Sequence, residues 1–512
     1  MSASTERKNR AAAREAGTDK KTIALEKQAA EEAKSKRRWT LGTIAAVLVV
    51  ALVLVLNSGL TNKLTAFTVG SKSYNTAEVN YHYANQYMSF ANQYGQYASI
   101  FGLDTSNGIR GLDKQECSMT DGGTWKDYFL DAARQELVQA TVLGQYAAEN
   151  GITLDADELA RIDASFEGLD EQALAYGYGS GNKMLAANYG SGVNQKIVRE
   201  AYKQSQLAAK AAEALTDSFT YTDEQLKEQY ASYHGERDYF DYAYVYVTAE
   251  KVETAAEDGT TSSAPTEETL KAAGEKAAKI VETYEAAAGD SPAVRLNNAA
   301  ADAGESASNQ THVQGSAVPA LAWMADASRK AGDVTTEADD NGCYVVVFLA
   351  HDDNNYVTAN VRHILVRAEA DADGNYTDEA KAAAKAKAEE ILAEFESGDK
   401  TEESFAALAE EYSEDTGSNT NGGLYENVAK GQMVEEFDAF CYAGHKPGDT
   451  GIVYGESGSY AGYHVMYYVG EGMLCCDSIA DSALRTADVE AWMDAAEEAN
   501  PTKDGFGMKF VG

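Results

Sequence analysis

A chain of 512 residues with 44% hydrophobic content is long enough for about three compact domains, each with its own core. The net charge of −38 is unevenly distributed, because residues 1–38 hold 11 Lys+Arg against 6 Asp+Glu and the remainder holds 32 against 75. A body this acidic repels phosphate backbones, which excludes nucleic acid as an expected partner. Five cysteines without a CxxC pair argue against a disulfide framework or a metal site, and no cofactor is expected.

An uncharged segment near the N-terminus, residues 39–60, has about the length of a bilayer-spanning helix. Four Lys and Arg residues at positions 34–38 precede it, so the positive-inside rule places residues 1–38 in the cytoplasm. The sequence therefore predicts a single-pass cell-membrane protein with a transmembrane signal anchor and an extracytoplasmic body. A cleavable signal peptide is the alternative, although its basic region would be unusually long.

Residues 61–235 are predicted to form a helical, chaperone-like module. Asn75 followed by Glu78 makes a capping box that opens a long helix. Aromatic residues then recur at steps of four and three, which lines them along one helix face. These residues are Tyr83, Tyr87, Phe90, Tyr94, Tyr97 and Phe101. Such a stripe either packs against neighbouring helices or binds unfolded chains. The Gly/Tyr-rich residues 176–192 are predicted to be connecting turns.

Two stretches of similar pattern follow, residues 237–352 and residues 357–472. Each contains a strand, a polar loop, a long Ala/Lys/Glu-rich helix, a Gly-Asp turn and a closing strand. The spacing predicts an internal repeat of about 115 residues, and hence two copies of one fold. With the helical module, the prediction is an α+β chain.

Four motifs in residues 357–472 occur in a fixed order. They are R-H-I-L-V at 362–366, F-A-x-L-A-x-x-Y-S-x-D-x-G-S at 405–418, G-Q-M-V-x-x-F at 431–437 and G-Y-H at 462–464. In this order they closely resemble the parvulin rotamases, the PpiC type of peptidyl-prolyl cis/trans isomerase. The resemblance covers nearly the whole stretch and implies the FKBP-like β-α-β fold and the activity of that family.

The resemblance also implies catalytic residues. His363 and His464 match the paired histidines of the parvulin site, and Asp415 matches a position that the family fills with Cys or Asp. The structural alternative is that the two histidines merely bridge adjacent strands. Two of only seven histidines lie in these motifs, which favours the functional interpretation.

Substrate-binding residues are implied by the same resemblance. Met433 and Phe437 match the wall of the proline pocket, Tyr425 stands where the family usually has Leu, and Ser459 stands where it has Thr or Ser. The loop 422–428 departs from the usual family pattern, and a Gly/Ser turn at 455–458 is inserted before the last strand. These departures affect the shape of the pocket.

The expected reaction explains these residue types. Rotation about an Xaa-Pro bond breaks amide resonance across ~18–20 kcal/mol, with no bond made or cleaved. An apolar socket for the proline ring lowers the cost of the twisted amide. Asp415 either orients the imidazoles or biases the field around the rotating carbonyl oxygen. Residues 367–379 are acidic, which argues against phosphorylated substrates.

The first copy, residues 237–352, is predicted to be a degenerate parvulin-like domain. Residues 240–247 contain no histidine, and Tyr344 takes the place that corresponds to His464. We expect this copy to be inactive, serving as a scaffold or binding peptide.

The order of all these parts resembles the extracytoplasmic foldases of the PrsA and SurA type, in which terminal segments, here residues 473–512, pack back on the helical module. The resemblance implies an isomerase and foldase that acts on unfolded or partly folded exported proteins carrying Xaa-Pro bonds. Uncatalysed isomerisation is slow enough to limit their folding. The alternative is a holdase chaperone whose parvulin fold binds unfolded peptide without catalysis.

Overall fold

A computed structural model describes most of the chain beyond the predicted anchor. The described residues are 3–16, 27, 34, 36–40, 43–47, 49, 59–255, 261–372, 374–457 and 460–512. Most of the predicted membrane span, residues 39–60, lies outside them. Within the described part, no helix has the length and apolar character to cross a membrane. The chain divides into two compact units, residues 1–219 with 488–512, and residues 220–487.

Helices and strands are both abundant, in agreement with the α+β prediction. The strands are β1 Thr65–Val69, β2 Lys72–Asn75, β3 Tyr239–Thr248, β4 Lys251–Ala255, β5 Thr261–Pro265, β6 Ala307–Gln314, β7 Val334–Asp339, β8 Gly342–Asp352, β9 Val357–Arg367, β10 Leu424–Val428, β11 Thr450–Ser457, β12 Tyr460–Leu474 and β13 Thr502–Asp504. The helices are α1 Ala3–Glu15, α2 Thr76–Tyr94, α3 Trp125–Glu149, α4 Ala156–Ala164, α5 Leu169–Ala175, α6 Gly181–Tyr189, α7 Gln195–Ser218, α8 Asp223–Ala231, α9 Glu267–Ala286, α10 Pro292–Asp302, α11 Leu321–Met324, α12 Asp378–Ser397, α13 Glu402–Tyr412, α14 Glu435–Cys441 and α15 Cys475–Ala499.

The first unit packs helices on a small antiparallel sheet, in which β1 lies between β2 and β13. The Asn75 side chain accepts hydrogen bonds from the backbone of Ala77 and Glu78, and the Glu78 side chain accepts one from the Asn75 backbone, which confirms the capping box. Near the C-terminus, β13 adds a third strand to this sheet, and residues 506–510 form a 3-10 helix.

The aromatic stripe of α2 belongs to the core of this unit. Tyr87 and Phe90 are buried, and the Phe90 ring centroid lies 5.1 Å from that of Trp125 in α3. The helix ends at Gly95, whose φ of 48° interrupts the predicted face. Tyr97, beyond this end, is 60% exposed. Core packing therefore accounts for the helical part of the stripe.

The prediction of plain turns at 176–192 was wrong, because α6 lies within this segment. The Ser180 side chain caps the helix by accepting a hydrogen bond from the Lys183 backbone. Met184 and Leu185 are buried, so packing stabilises a helix that glycine-rich flanks obscure in the sequence.

The second unit contains two four-stranded sheets with corresponding strand orders, β6-β3-β8-β7 and β10-β9-β12-β11. In the first sheet, α9 and α10 follow β3 along the chain and pack on one face. In the second, α12 and α13 follow β9 and pack on the corresponding face. The predicted polar loop after β3 contains an additional hairpin, in which β4 pairs with β5. Its polar composition hid these strands.

Candidate active site

The candidate site lies on the face of the second sheet opposite α12 and α13. Side chains alternate along a strand, so Ile364 and Val366 of β9 join the core beneath those helices while His363 points to the other face. Met466 of β12 is paired in register with His363, and His464 lies two residues before it. His363 and His464 therefore share one face.

The two histidines and Asp415 form a connected chain. His363 Nδ1 lies 3.0 Å from His464 Nδ1, and His363 Nε2 lies 2.9 Å from Asp415 Oδ2. Both imidazoles are buried, at 3% and 5% exposure. Burial, and to a lesser extent the adjacent His363, lowers the pKa of His464 to about 3, so His464 is neutral at physiological pH.

Asp415 is held by four donors. Besides His363, its Oδ2 accepts hydrogen bonds from the hydroxyls of Ser418 at 2.5 Å and Tyr425 at 3.0 Å, and its Oδ1 accepts one from the Gly417 backbone. The hydrogen bond from His363 is the largest cause holding the pKa of Asp415 far below its usual range. The carboxylate is therefore ionised, and it can only accept hydrogen bonds.

The loop that carries Asp415 is anchored to β9 at both ends. The Ser413 hydroxyl accepts a hydrogen bond from the Leu365 backbone, and the Gly423 carbonyl accepts one from the His363 backbone. Gly423 has φ +72°, and a Cβ there would lie 2.2 Å from the His363 carbonyl oxygen, so no other residue fits. Arg362 adds hydrogen bonds to the Asn421 and Gly422 carbonyls.

An aromatic wall borders the histidines. Phe437 of α14 is buried, and its ring centroid lies 5.4 Å from each imidazole, edge-on. Met433 and Tyr425 pack against the same apolar cluster and remain partly exposed. The Tyr425 ring lies 5.2 Å from His363. Of the predicted substrate-binding residues, the structure thus brings these three to the site, and Ser459 lies outside the described residues.

One residue near the histidines was missed by sequence reasoning. The Tyr460 hydroxyl lies 3.1 Å from His464 Nε2. The resemblance placed the family's hydroxyl at Ser459, five residues before His464. A separation of four residues was an available signal, because positions 460 and 464 of one strand share a face. Gly455 and Ser457, which were predicted to belong to a turn, are part of β11.

Metal ligands are not grouped in the part of the chain that the structure describes, where no cluster of three or more His, Cys, Asp or Glu has a metal-binding arrangement. The five cysteines are free thiols, and four of them are buried.

The first sheet carries tyrosines where the second carries histidines. In the first sheet, Tyr344 pairs with Tyr246, and in the second His464 pairs with Leu365. Tyr244 and His363 each lie two residues before these partners, so Tyr244 is the counterpart of His363. The Tyr244 and Tyr344 ring centroids are 5.8 Å apart. The sequence prediction that Tyr344 corresponds to His464 agrees with this register.

Comparison with known proteins gives the following matches. Residues 345–467 match the family model described as the PPIC-type PPIASE domain. Foldase protein PrsA 1 of Listeria innocua is 38% identical over 110 residues, covering 21% of this chain and 29% of the relative. Foldase protein PrsA 3 of Bacillus cereus is 44% identical over 64 residues, covering 12% of this chain and 21% of the relative. The matches thus span less than a third of these relatives' own length.

Among solved structures, PrsA from Bacillus subtilis aligns with 75% of this chain and 91% of its own, at 17% identity and a TM-score of 0.27. The family match coincides with the four motifs and with the sheet that carries His363, Asp415 and His464. The chain therefore contains a PPIC-type peptidyl-prolyl isomerase domain, and the match over residues 345–467 includes its four motifs.

Proposed function

We propose that this chain is a foldase that catalyses prolyl cis/trans isomerisation in exported proteins, with His363, Asp415 and His464 as its catalytic residues. The observation that carries the proposal is the hydrogen-bonded chain from Asp415 through both imidazoles, buried against the Phe437 ring. Such a preorganised buried network suits a reaction that needs a fixed electrostatic field rather than bond formation.

The hydrogen-bond geometry favours particular roles for the two histidines and Asp415. His363 Nε2, both Nδ1 atoms and His464 Nε2 all have hydrogen-bond partners within the protein. An imidazole engaged at both nitrogens is a poor nucleophile, and prolyl isomerisation requires none. The histidines therefore serve to hold Asp415 and the shape of the site.

Asp415 then acts on the amide through its charge. Resonance in an Xaa-Pro amide places negative charge on the carbonyl oxygen, and a fixed carboxylate beside that oxygen disfavours this form. The bond loses double-bond character, so its rotation barrier falls. Met433, Tyr425 and Phe437 form the apolar surface for the proline ring, where a twisted, less polar amide is favoured.

The clients we propose are unfolded exported chains. The acidic body favours cationic or neutral segments, and acidic residues after β9, among them Glu369 and Asp378, disfavour phosphorylated ones. An N-terminal anchor at residues 39–60 would hold the foldase at the outer face of the cell membrane. The region 61–235 and residues 473–512 would form the module that retains clients nearby.

The first sheet domain, residues 237–352, is proposed to contribute no catalysis. Tyr244 and Tyr344 replace the histidines, and residues 303–306 join α10 directly to β6 where the second domain has the whole Asp415 loop. This domain is a scaffold or an aromatic peptide-binding surface. The same observation keeps open the second candidate function, a holdase in which peptide binding alone protects clients.

The test is the isomerisation rate of an Xaa-Pro tetrapeptide with the full-length protein in detergent or nanodiscs. We expect acceleration by the wild type and its loss in His464→Ala, with the variant still folded by circular dichroism. No acceleration by folded wild type, together with aggregation suppression that survives His363→Ala, would support the holdase instead.

A further inference from the structure

The hydrogen bonds of the site run in one direction. Ionised Asp415 only accepts, so His363 Nε2 carries the proton that lies between them. A neutral imidazole has one N–H, so His363 Nδ1 must accept, and His464 Nδ1 must donate to it. His464 Nε2 is then an acceptor, and the group facing it is the Tyr460 hydroxyl at 3.1 Å.

Tyr460 is suited to donate this last hydrogen bond. Burial raises the pKa of Tyr460, so its hydroxyl keeps its proton at physiological pH. The opposite order, in which His464 Nε2 donates, would require His363 to donate from both nitrogens as a cation paired with Asp415, whereas the order above places no second charge in this buried site.

We propose that Tyr460 is a positioning residue for the proposed isomerase, and that its hydroxyl completes the chain by holding His464 in the Nδ1–H tautomer that Asp415 selects through His363. This assigns to Tyr460 the hydroxyl role that family resemblance gave to Ser459. The inference rests on the proposed function for its effect on rate, but the tautomer can be measured without it.

A second observation supports the assignment. The neighbouring strand β11 has a glycine, Gly455, beside the hydrogen bond between Tyr460 and His464, and any side chain there would contact both groups. A Cβ at Gly455 of β11 would lie 2.8 Å from His464 Nε2 and 3.0 Å from the Tyr460 hydroxyl. The φ of Gly455 does not require glycine, so the missing side chain serves the space and not the backbone. Arg367 lies over the Tyr460 ring at 5.7 Å and helps to fix its position.

The kinetic test compares two Tyr→Phe variants in the full-length protein. Tyr460→Phe should lower the kcat/KM for an Xaa-Pro tetrapeptide about tenfold, the effect of one lost hydrogen bond in a buried network. Tyr454→Phe is the matched control on β11, because its hydroxyl bonds to Glu456 outside the site, and it should leave the rate unchanged. Gly455→Ala should reproduce the loss by crowding both partners.

The deciding measurement is the histidine tautomer, which a purely structural role for Tyr460 would not change. The chain has seven histidines, so selective 15N-histidine labelling with a His464→Gln reference identifies the His464 signals. We expect a single Nδ1–H tautomer in wild type and a tautomer mixture in Tyr460→Phe. An unchanged tautomer in Tyr460→Phe, or a mixture and rate loss produced by Ser459→Ala instead, would overturn the proposal. If the wild type has no isomerase activity, the proposed function fails while this measurement still decides the tautomer.

Discussion

The two sheet domains of the second unit share a fold but differ on one face. Both have the strand order of a central antiparallel pair flanked by two shorter strands, and both bury aliphatic residues under two helices. On the opposite face, one sheet carries His363 and His464, and the other carries Tyr244 and Tyr344. The face under the two helices maintains the fold, and the opposite face is the one on which the two domains differ in chemistry.

The second difference is the connection that follows the second helix of each domain. In the second domain, residues 413–423 run along β9 and place Asp415 against His363. In the first domain, residues 303–306 are too short to do so. Loss of the loop and loss of the histidines go together, because neither alone completes the network.

The largest expected effect comes from removing the Asp415 carboxylate, which has no counterpart in the first domain. Asp415→Ala should lower kcat/KM for a prolyl tetrapeptide by about 100-fold, since it removes the charge on which the site is organised. Glu305→Ala, in the short connection of the first domain, is the control and should leave the rate unchanged. A similar rate in both variants would mean that the Asp415 loop does not account for the difference in activity between the two domains.

Equivalent core positions should respond alike in both domains. Ile280 of α9 and Ile391 of α12 are each 1% exposed in corresponding cores. Each Ile→Ala substitution should cost about 3 kcal/mol of local stability. Hydrogen–deuterium exchange should show faster exchange in β3 and β8 for Ile280→Ala, and in β9 and β12 for Ile391→Ala. Equal loosening of both sheets by either variant would contradict two separate cores.

Acid should destabilise the second domain selectively. Folded His464 binds a proton near pH 3, whereas the unfolded residue does so near 6.5, so the unfolded state binds more protons between these values. Stability should therefore fall as the pH falls through this window, by about 2 kcal/mol from pH 6.5 to 5.

Pulse proteolysis in urea at the two pH values, monitored at the second domain, measures this loss. His464→Gln cannot titrate, so its stability should change less with pH than that of the wild type. An equal change in both proteins would show that His464 does not carry the pH dependence.

The smallest expected effect concerns Arg362, whose counterpart in the first domain by register is Ala243. Its guanidinium binds Glu402 and two loop carbonyls, a fork that lysine cannot reproduce. Arg362→Lys should lower kcat/KM about fivefold, equivalent to about 1 kcal/mol. Arg329→Lys in the first domain is the control. An unchanged rate in Arg362→Lys would mean that the loop needs no such anchor.

Sequence reasoning succeeded where residue type alone determines the structure. The capping box at Asn75 predicted a helix start, and the motif that contains His363 was correctly predicted to lie on a strand. It failed where packing decides, as at α6, whose buried Met184 stabilises a helix among glycines. It missed Tyr460 because the family resemblance pointed to Ser459, whereas Tyr460 lies four residues before His464 on the same strand face.

The central claim is that catalysis is confined to the second sheet domain. The direct measurement is the tetrapeptide isomerisation rate of two full-length double variants, His363→Ala/His464→Ala and Tyr244→Phe/Tyr344→Phe. The account predicts near-complete loss of acceleration in the first and wild-type acceleration in the second. Substantial acceleration in the histidine double variant would contradict it, because isomerisation would then occur elsewhere in the chain.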